Sequence, residues 1–299
     1  MNKIISPRDR VYRAFCLIVI ILLALLFLFP LYWIIIGAFK TSAENYSLSP
    51  IWWPSQWTAD NFDKLFSKRS ANLFDINLFG LTVSGPNGPA AIRWLANTVF
   101  MSVTAMILTC ITAALAGYAL AKKRFIGRGI VFGLIICAMA LPKQVILIPL
   151  LREMSILGLI DNIWAVILPT VGWPFGVFLM KQFSESIPGE VLESARIDGA
   201  SELKTFVTIV FPMVKPGVGA LAIFTFINSW NDYFMQLVML SSSANFTLPL
   251  GIATLQGETS VDIGLLRAGA ALAAFPIIIV FLIFQKYFTK GITMGAVKG

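Results

Sequence analysis

The stretch that decides the fold is IPGEVLESARIDGASELKTFVTIVFPMVKP, residues 187–216, a polar island between long apolar runs. Pro188 and Gly189 predict the start of a helix, because proline costs little in a first turn, where its missing N–H has no partner. Gly199 interrupts that helix as a residue that permits a reversal of the backbone. Acidic and basic side chains are mixed along the stretch: Glu190, Glu193, Arg196, Asp198, Glu202, Lys204 and Lys215.

Two short helices are predicted on either side of this glycine. In the first, Val191, Ala195 and Ile197 are expected to form an apolar side, with the carboxylates on another side. In the second, apolar residues recur three and four positions apart until Pro212 and Pro216 close the helix. Such a bent pair at a membrane surface is suited to docking another protein, although an amphipathic connector lying flat on the bilayer would show similar spacing.

The composition of the chain indicates an integral membrane protein. Of its 299 residues, 58% are hydrophobic and 13% charged, and the mean hydropathy is +0.82, beyond what soluble domains show. Several apolar runs reach the roughly 18 residues that indicate a membrane helix. The net charge of +8 is concentrated in particular loops, as orientation signals are, so no nucleic-acid partner is expected.

Metal and disulfide chemistry are not predicted for this chain. It has no histidine, and its three cysteines lie inside apolar runs: Cys16, Cys110 and Cys137. No cluster therefore has metal-ligand spacing, and no disulfide framework is evident. The sequence contains no GxxxxGK[ST] loop and no Ser/His/Asp set, so we expect no enzyme activity, and any ATP must bind another polypeptide.

We predict an all-α, polytopic membrane protein with six transmembrane helices and both termini cytoplasmic. Most of the 23 lysine and arginine residues fall on the predicted inner segments, as the positive-inside rule requires. The first apolar run is longer than a signal-peptide core and is expected to remain as an anchor. The spans are placed at about 14–39, 97–121, 129–151 with an interruption at Pro142, from a cap at Asp161 and Asn162 to Lys181, 217–240, and 267–287.

The chain is divided accordingly into four parts. Residues 1–40 hold the N-terminal cytoplasmic segment and first helix, and residues 41–92 an extracytoplasmic loop. Residues 93–290 form a five-helix core with a cytoplasmic coupling loop at 183–216, and residues 291–299 a cytoplasmic tail. Three tryptophans in the outer loop fit either an interfacial belt or a ligand platform: Trp52, Trp53 and Trp57.

A polar run interrupts the fifth span. Asn228 lies about 16 Å along the helix from Gly217, at roughly 1.5 Å per residue, which is close to mid-membrane. Polar side chains at this depth mark a substrate path by default, and the candidates are Asn228, Trp230, Asn231 and Asp232. The alternative is that Asp232 makes a structural hydrogen bond between helices.

Lys143, just after Pro142, is the other charged residue beside an apolar run. Its ammonium group can extend to the outer membrane interface while its stem stays in apolar surroundings. The alternative is that Lys143 contacts an acidic sugar, a uronate or a phosphorylated one. The sequence leaves both roles open.

The run Glu193-Ser194-Ala195, followed by Asp198-Gly199-Ala200, resembles the EAA loop of ABC-importer permeases. The branch it resembles takes up carbohydrates and includes the maltose and multiple-sugar systems. Ser194 departs from the alanine usual there, a change from one small residue to another. The resemblance implies a type I importer architecture, in which this loop inserts into a cleft on the ATPase subunit. Glu193 would then bond a basic residue of the ATPase, while Ala195, Gly199 and Ala200 allow close approach.

The resemblance also implies the function and the partners. The chain would translocate a sugar or oligosaccharide across the inner membrane by alternating access, with ATP and Mg on two partner ATPase subunits and no cofactor of its own. A second, related permease and an extracytoplasmic solute-binding protein are expected, and the tail would reach between the ATPases. The alternatives are a permease for another solute, such as glycerol phosphate, a peptide or an acidic oligosaccharide, a secondary transporter, or a non-transporting scaffold.

Overall fold

The computed structural model describes residues 7–78, 81–256 and 261–296, and most of them lie in helices. The helices up to residue 156 are α1 (Pro7–Ala38), α2 (Ser42–Asn45), α3 (Asp60–Ser67), α4 (Ala90–Lys122), α5 (Arg128–Met139) and α6 (Lys143–Ile156). Those that follow are α7 (Trp164–Val171), α8 (Pro174–Glu185), α9 (Gly189–Ile197), α10 (Glu202–Thr205), α11 (Phe211–Asn231), α12 (Tyr233–Met239), α13 (Leu248–Thr254) and α14 (Ile263–Ala296). A π-helical turn, Phe206–Val210, joins α10 to α11.

The chain forms two compact units, one from the described parts of 1–69 and 255–274, the other from those of 70–254 and 275–299. In the first unit, the Trp33 ring lies 4.2 Å from the Lys40 ammonium and 5.6 Å from the Arg267 guanidinium carbon. The buried amide of Asn61 donates to the Lys40 carbonyl oxygen at 2.7 Å, which fixes the chain leaving α1. The tryptophans of the predicted belt are each more than half exposed: Trp52, Trp53 and Trp57.

The second unit begins with four short strands, which corrects the expectation of an all-α chain. They are β1 (Ser70–Asn72), β2 (Asp75–Leu78), β3 (Leu81–Ser84) and β4 (Asn87–Pro89). β1 pairs with β4 and β2 with β3, both antiparallel. Arg93 at the start of α4 donates to the Asp75 carboxylate at 2.5 Å and to the Asn72 carbonyl at 2.6 Å, which anchors the strands to the helix.

The core of the second unit lies where α4 packs against α8 and α11. The side chains that form it are Cys110, Ala113, Ala114, Tyr118, Met180, Ile187, Phe206, Val210, Val214, Leu221 and Ala222. Gly117 lets α4 and α8 approach closely, since an added β-carbon would stand 2.6 Å from the Lys181 backbone nitrogen. Gly117 is thus a small residue of the kind that allows membrane helices to pack closely.

Among the described residues, five helical stretches are long and apolar enough to cross a membrane: Val11–Ala38, Ala90–Lys122, Trp164–Glu185, Glu202–Asn231 and Ile263–Lys286. The interruption predicted at Pro142 in the third span is confirmed, and it is a bend of 108° between α5 and α6. An N-terminal proline starts α6 easily, but it disfavours helical backbone in the residue before it. The count is thus five, or six if the bent pair is one broken span.

The predicted cap of the fourth span is half wrong. The Asn162 side-chain oxygen accepts a hydrogen bond from the Trp164 backbone N–H at 3.0 Å, as a cap does. Asp161 instead has φ +59 and accepts the backbone N–H groups of Ser241 and Ser242 at 2.8 and 2.9 Å. Burial acts to raise the pKa of Asp161, but these backbone donors outweigh it and hold the pKa below its usual range.

Pro212 and Pro216 do not end a helix, contrary to the prediction. The π turn before Pro212 shifts the hydrogen-bond register by one residue, so the chain accommodates the proline and continues as α11. The fifth span predicted at 217–240 breaks instead at Asp232, whose carboxylate caps α12 by accepting the Met235 N–H at 3.4 Å. The sixth predicted span belongs to the longer α14, whose backbone includes residues 291–296 of the predicted tail, while residues 297–299 lie outside the described residues.

Candidate functional site

The bent segment, residues 189–205, consists of α9, a glycine turn and α10. Gly199 has φ +72, a conformation that L side chains rarely adopt. Its N–H donates to the Arg196 carbonyl at 3.1 Å, and the Ala200 N–H donates to the Ala195 carbonyl at 3.0 Å. These are the two bonds of a Schellman motif, so the reversal predicted at Gly199 is confirmed.

Sequence reasoning missed the residue that starts α10. The Ser201 hydroxyl accepts the Lys204 backbone N–H at 3.3 Å and so caps the helix. The signal was available, since serine is a preferred N-cap residue and Ser201 stands two residues after Gly199. α9 therefore ends in a defined C-terminal cap, and α10 begins with a defined N-terminal cap.

The residues predicted for ATPase docking divide by exposure. Four of them are exposed: Glu193, Ser194, Asp198 and Gly199. Ala195 is buried and Ala200 is half-buried. The predicted apolar side of α9 is wrong, because Ile197 stands two residues, about 200°, beyond Ala195 and is 86% exposed.

An apolar surface flanks the glycine turn. Besides Ile197 on α9, the Leu203 side chain on α10 is 69% exposed. Carboxylates at Glu193 and Asp198 lie on the same exposed stretch of chain. An exposed apolar patch with a charged border is typical of a protein-binding surface.

Two lysines at the end of α4 hold the bent segment. Lys122 donates to the carbonyl oxygens of Glu185 and Ile187 at 3.0 and 2.6 Å, directly before α9 begins. Lys123 forms a salt bridge with Glu202 on α10, and its ammonium lies 5.2 Å from the Tyr118 ring. Burial lowers the pKa of Lys123, but hydrogen bonds to Glu202 and then Tyr118 outweigh it and raise the pKa. The sequence analysis treated the basic residues of such loops as orientation signals only.

A cavity of about 680 Å³ lies between the end of α4 and the bent segment. Its walls include Tyr118 and the clamping lysine Lys123 on one side, and Glu193, Arg196 and Glu202 on the other. α4 thus holds the bent segment near its two ends through Lys122 and Lys123. Between these contacts, the cavity separates the segment from α4.

A second cavity, of about 510 Å³, lies beside the bend between α5 and α6 and the break between α11 and α12. It brings Lys143 together with Asn228 and Asp232, although Lys143 and Asp232 are 89 residues apart in the sequence. The Lys143 ammonium lies 3.5 Å from an Asp232 carboxylate oxygen. Asp232 therefore has both roles considered from the sequence: it links two elements, and it faces a cavity.

Two of the predicted path residues do not line this cavity. Trp230 is 1% exposed and stacks on Phe226 with ring centroids 5.3 Å apart. Asn231 is exposed, and its amide donates to the Ile227 carbonyl at 3.0 Å. The cavity instead has Trp173 in its wall, which sequence reasoning missed although the residue directly precedes Pro174, where the fourth span breaks.

No group of three or more His, Cys, Asp or Glu side chains within the described ranges is placed to hold a metal ion. The three cysteines are all free, and Cys110 is buried. The candidate binding features described above are therefore two cavities and an exposed bend.

Membrane-length helices, a polar break beside a cavity and an exposed bent segment held by a neighbouring helix define a membrane permease. Residues 111–294 match the model of the binding-protein-dependent transport system inner membrane component, and the chain belongs to this family. It is 34% identical to the arabinooligosaccharides transport system permease protein AraQ of Bacillus subtilis, over 98% of this chain and 99% of that protein. It is 30% identical to the maltodextrin transport system permease protein MdxG of the same organism, over 93% of each chain.

A solved structure has the same fold. It is a chain of a bacterial ABC transporter involved in the import of the acidic polysaccharide alginate. The TM-score is 0.75 with 23% sequence identity, over 95% of this chain and 98% of that chain. The predicted resemblance to ABC-importer permeases is therefore confirmed, and the chain is an inner-membrane transport component.

Proposed function

We propose that this chain is the transmembrane subunit of an ATP-driven importer that carries a sugar or oligosaccharide across the inner membrane by alternating access. The substrate class is supported by relatives named for arabinooligosaccharide and maltodextrin transport, at 34% and 30% identity over nearly the whole chain. The observation that carries the proposal is the exposed bend at Gly199, with Ile197 and Leu203 standing out on either side of it.

The bent segment is the proposed docking element for the ATPase. Ile197 and Leu203 supply apolar contact, and Glu193 offers a carboxylate to a basic residue of the partner. Gly199 allows close approach because nothing lies within 4 Å of where its side chain would be. Ala195 is buried, so it supports α9 from inside and does not face a partner, while Leu192 packs α9 against the core.

The remaining assembly follows from this role. ATP and Mg bind two ATPase subunits, since this chain has no phosphate-binding loop and no cofactor is proposed on it. A second, related permease completes the translocation pathway, and an extracytoplasmic binding protein delivers the solute. Both termini lie in the cytoplasm if the pair α5 and α6 counts as one broken span, giving six.

The path for the solute is proposed at the 510 Å³ cavity, with Lys143, Asn228 and Asp232 in its wall. Trp230 and Asn231 lie outside the cavity wall and stabilise the end of α11. Trp230 does so by stacking on Phe226, and Asn231 by its hydrogen bond within α11. Because α11 is continuous with the π turn and α10, displacement of the bent segment is carried along one helix toward Asp232.

The test is Gly199→Asp in the assembled transporter. Aspartate tolerates positive φ better than most residues, so the variant should insert in the membrane while its added side chain blocks docking. We expect the ATPase subunits to be lost from affinity-purified permease and oligosaccharide uptake to be abolished.

The matched control is Gly158→Asp, because Gly158 has φ +67 and the same open surroundings but lies outside the bent segment. It should retain the ATPase. Retained ATPase and uptake in Gly199→Asp would contradict the docking role.

A further inference from the structure

We propose that the 510 Å³ cavity is charge-compensated, so that this subunit passes uncharged sugars and rejects acidic ones. This proposal rests on the proposed transport function, because only that function makes a sugar the substrate. The charge of the cavity can nevertheless be measured without transport. Among the described residues that line it, Lys143 and Asp232 are the charged ones, and the others are apolar or neutral. One cation therefore faces one anion.

The pair is already formed before any ligand enters. The Lys143 ammonium lies 3.5 Å from the Asp232 carboxylate, and the two side chains are 52% and 20% exposed. An acidic sugar would have to displace Asp232 from Lys143 and then stand beside that carboxylate. Like charges at such distances repel, and more strongly in a partly dry cavity than in water.

Asp232 is fixed by the backbone and not by Lys143 alone. Its other carboxylate oxygen accepts the Met235 N–H and so caps α12. The negative charge is consequently built into the break between α11 and α12. A rearrangement of Lys143 toward a ligand would leave that charge in place.

The uncharged part of the wall suits a sugar ring. Trp173 offers an aromatic surface for the C–H groups of a pyranose or furanose, with the Lys143 ammonium 6.0 Å from its ring centre. Asn228 uses its N–H on the Phe224 carbonyl, which leaves its side-chain oxygen to accept from a sugar hydroxyl. An apolar pocket with a few convergent polar groups is how small-molecule sites are usually built.

The charge can be read with thiol reagents of opposite sign. Cys16, Cys110 and Cys137 are replaced by alanine, and Asn228→Cys places one thiol in the cavity wall of the assembled transporter. This thiol is modified with a cationic and, separately, with an anionic methanethiosulfonate. The rate for each reagent is divided by the rate at which the same reagent reacts with free 2-mercaptoethanol, which removes the difference in intrinsic reactivity. We expect the two normalised rates to agree within about fourfold.

Two further variants on this background identify the compensating groups. Asp232→Asn keeps the oxygen that caps α12 and removes the charge. The ratio of the anionic to the cationic modification rate should therefore rise about fivefold. Lys143→Gln should shift the ratio about fivefold the other way. Gel filtration confirms that each variant stays assembled.

Three results would overturn the proposal. The first is a preference above about fourfold for either reagent in the parent, and a preference for the anionic one would mark a cavity for acidic sugars. The second is a ratio that Asp232→Asn leaves unchanged, and the third is failure of both reagents to label Asn228→Cys. Because these rates need neither ATP nor a transported sugar, a failure of uptake would count against the proposed function and leave this result standing.

Discussion

At the scale of single residues, glycines decide how closely the helices approach. Gly117 faces the backbone of α8, and an added β-carbon would lie 2.6 Å from both the Met180 carbonyl carbon and the Lys181 nitrogen. Backbone atoms cannot move aside as a flexible side-chain end can. The packing of α4 on α8, which supports both cavities, therefore depends on this position.

We expect Gly117→Ala to destabilise the folded protein by about 1–3 kcal/mol, as overpacking of a dense core does. The measurement is thermal unfolding in detergent, followed by the tryptophan fluorescence of the purified chain. Gly129→Ala on α5 is the control, because nothing lies within 4 Å of its added carbon, and it should not be destabilised. Equal melting temperatures for the two variants would contradict this account of Gly117.

The sequence anticipates some residues better than others. Gly117 was predictable from the small residues of α4, and Gly199 from its place between two helical patterns. The exposure of Ile197 was not anticipated, because grouping Ile197 with Ala195 ignored the rotation of about 200° between them. Trp173 was missed because its role depends on a break in the helix, which periodicity cannot show.

At the scale of elements, the bent segment is held from both ends by α4. Lys122 binds carbonyl groups before α9, and Lys123 binds Glu202 on α10. From α10 the chain continues through the π turn into α11 without a break. Under the proposed docking role, motion of the bent segment would be shared between two long helices, and Lys123 would act as a positioning residue for the coupling.

We expect Lys123→Glu to reduce uptake severalfold while the ATPase remains bound, because the repulsion from Glu202 releases α10 from α4. ATP hydrolysis by the complex should continue, so that uptake per ATP falls. The swap Lys123→Glu with Glu202→Lys restores opposite charges and should recover most of the uptake. Loss of the bound ATPase, or no recovery in the swap, would show that these residues act outside the clamp.

Element boundaries show where sequence reasoning falls short. It ended a helix at Pro212, yet the π turn before that proline lets the chain continue. It predicted one continuous span across Asp232. In the structure α11 ends directly before this residue, and the Asp232 carboxylate caps α12. In both cases a local hydrogen bond, which composition does not reveal, decides the boundary.

At the scale of the whole molecule, hydropathy alone was enough to predict a polytopic membrane protein. It could not fix the number of spans, because the 108° bend between α5 and α6 leaves five spans or six. Nor could it foresee the four strands after α3, of which β1 pairs with β4 and β2 with β3. The cavity that joins Lys143 to Asp232 depends on three-dimensional packing of broken helices.

The central claim is that the bent segment meets an ATPase inside the cell. The direct test is a photo-crosslinking amino acid at Ile197, which is 86% exposed beside Gly199. Leu48, fully exposed in the predicted extracytoplasmic loop 41–92, takes the same probe as a control. After illumination of intact cells, we predict that the probe at Ile197 forms an adduct with the ATP-hydrolysing subunit and that the probe at Leu48 does not. Adducts of Ile197 with lipid alone, or with an extracytoplasmic protein, would contradict the account.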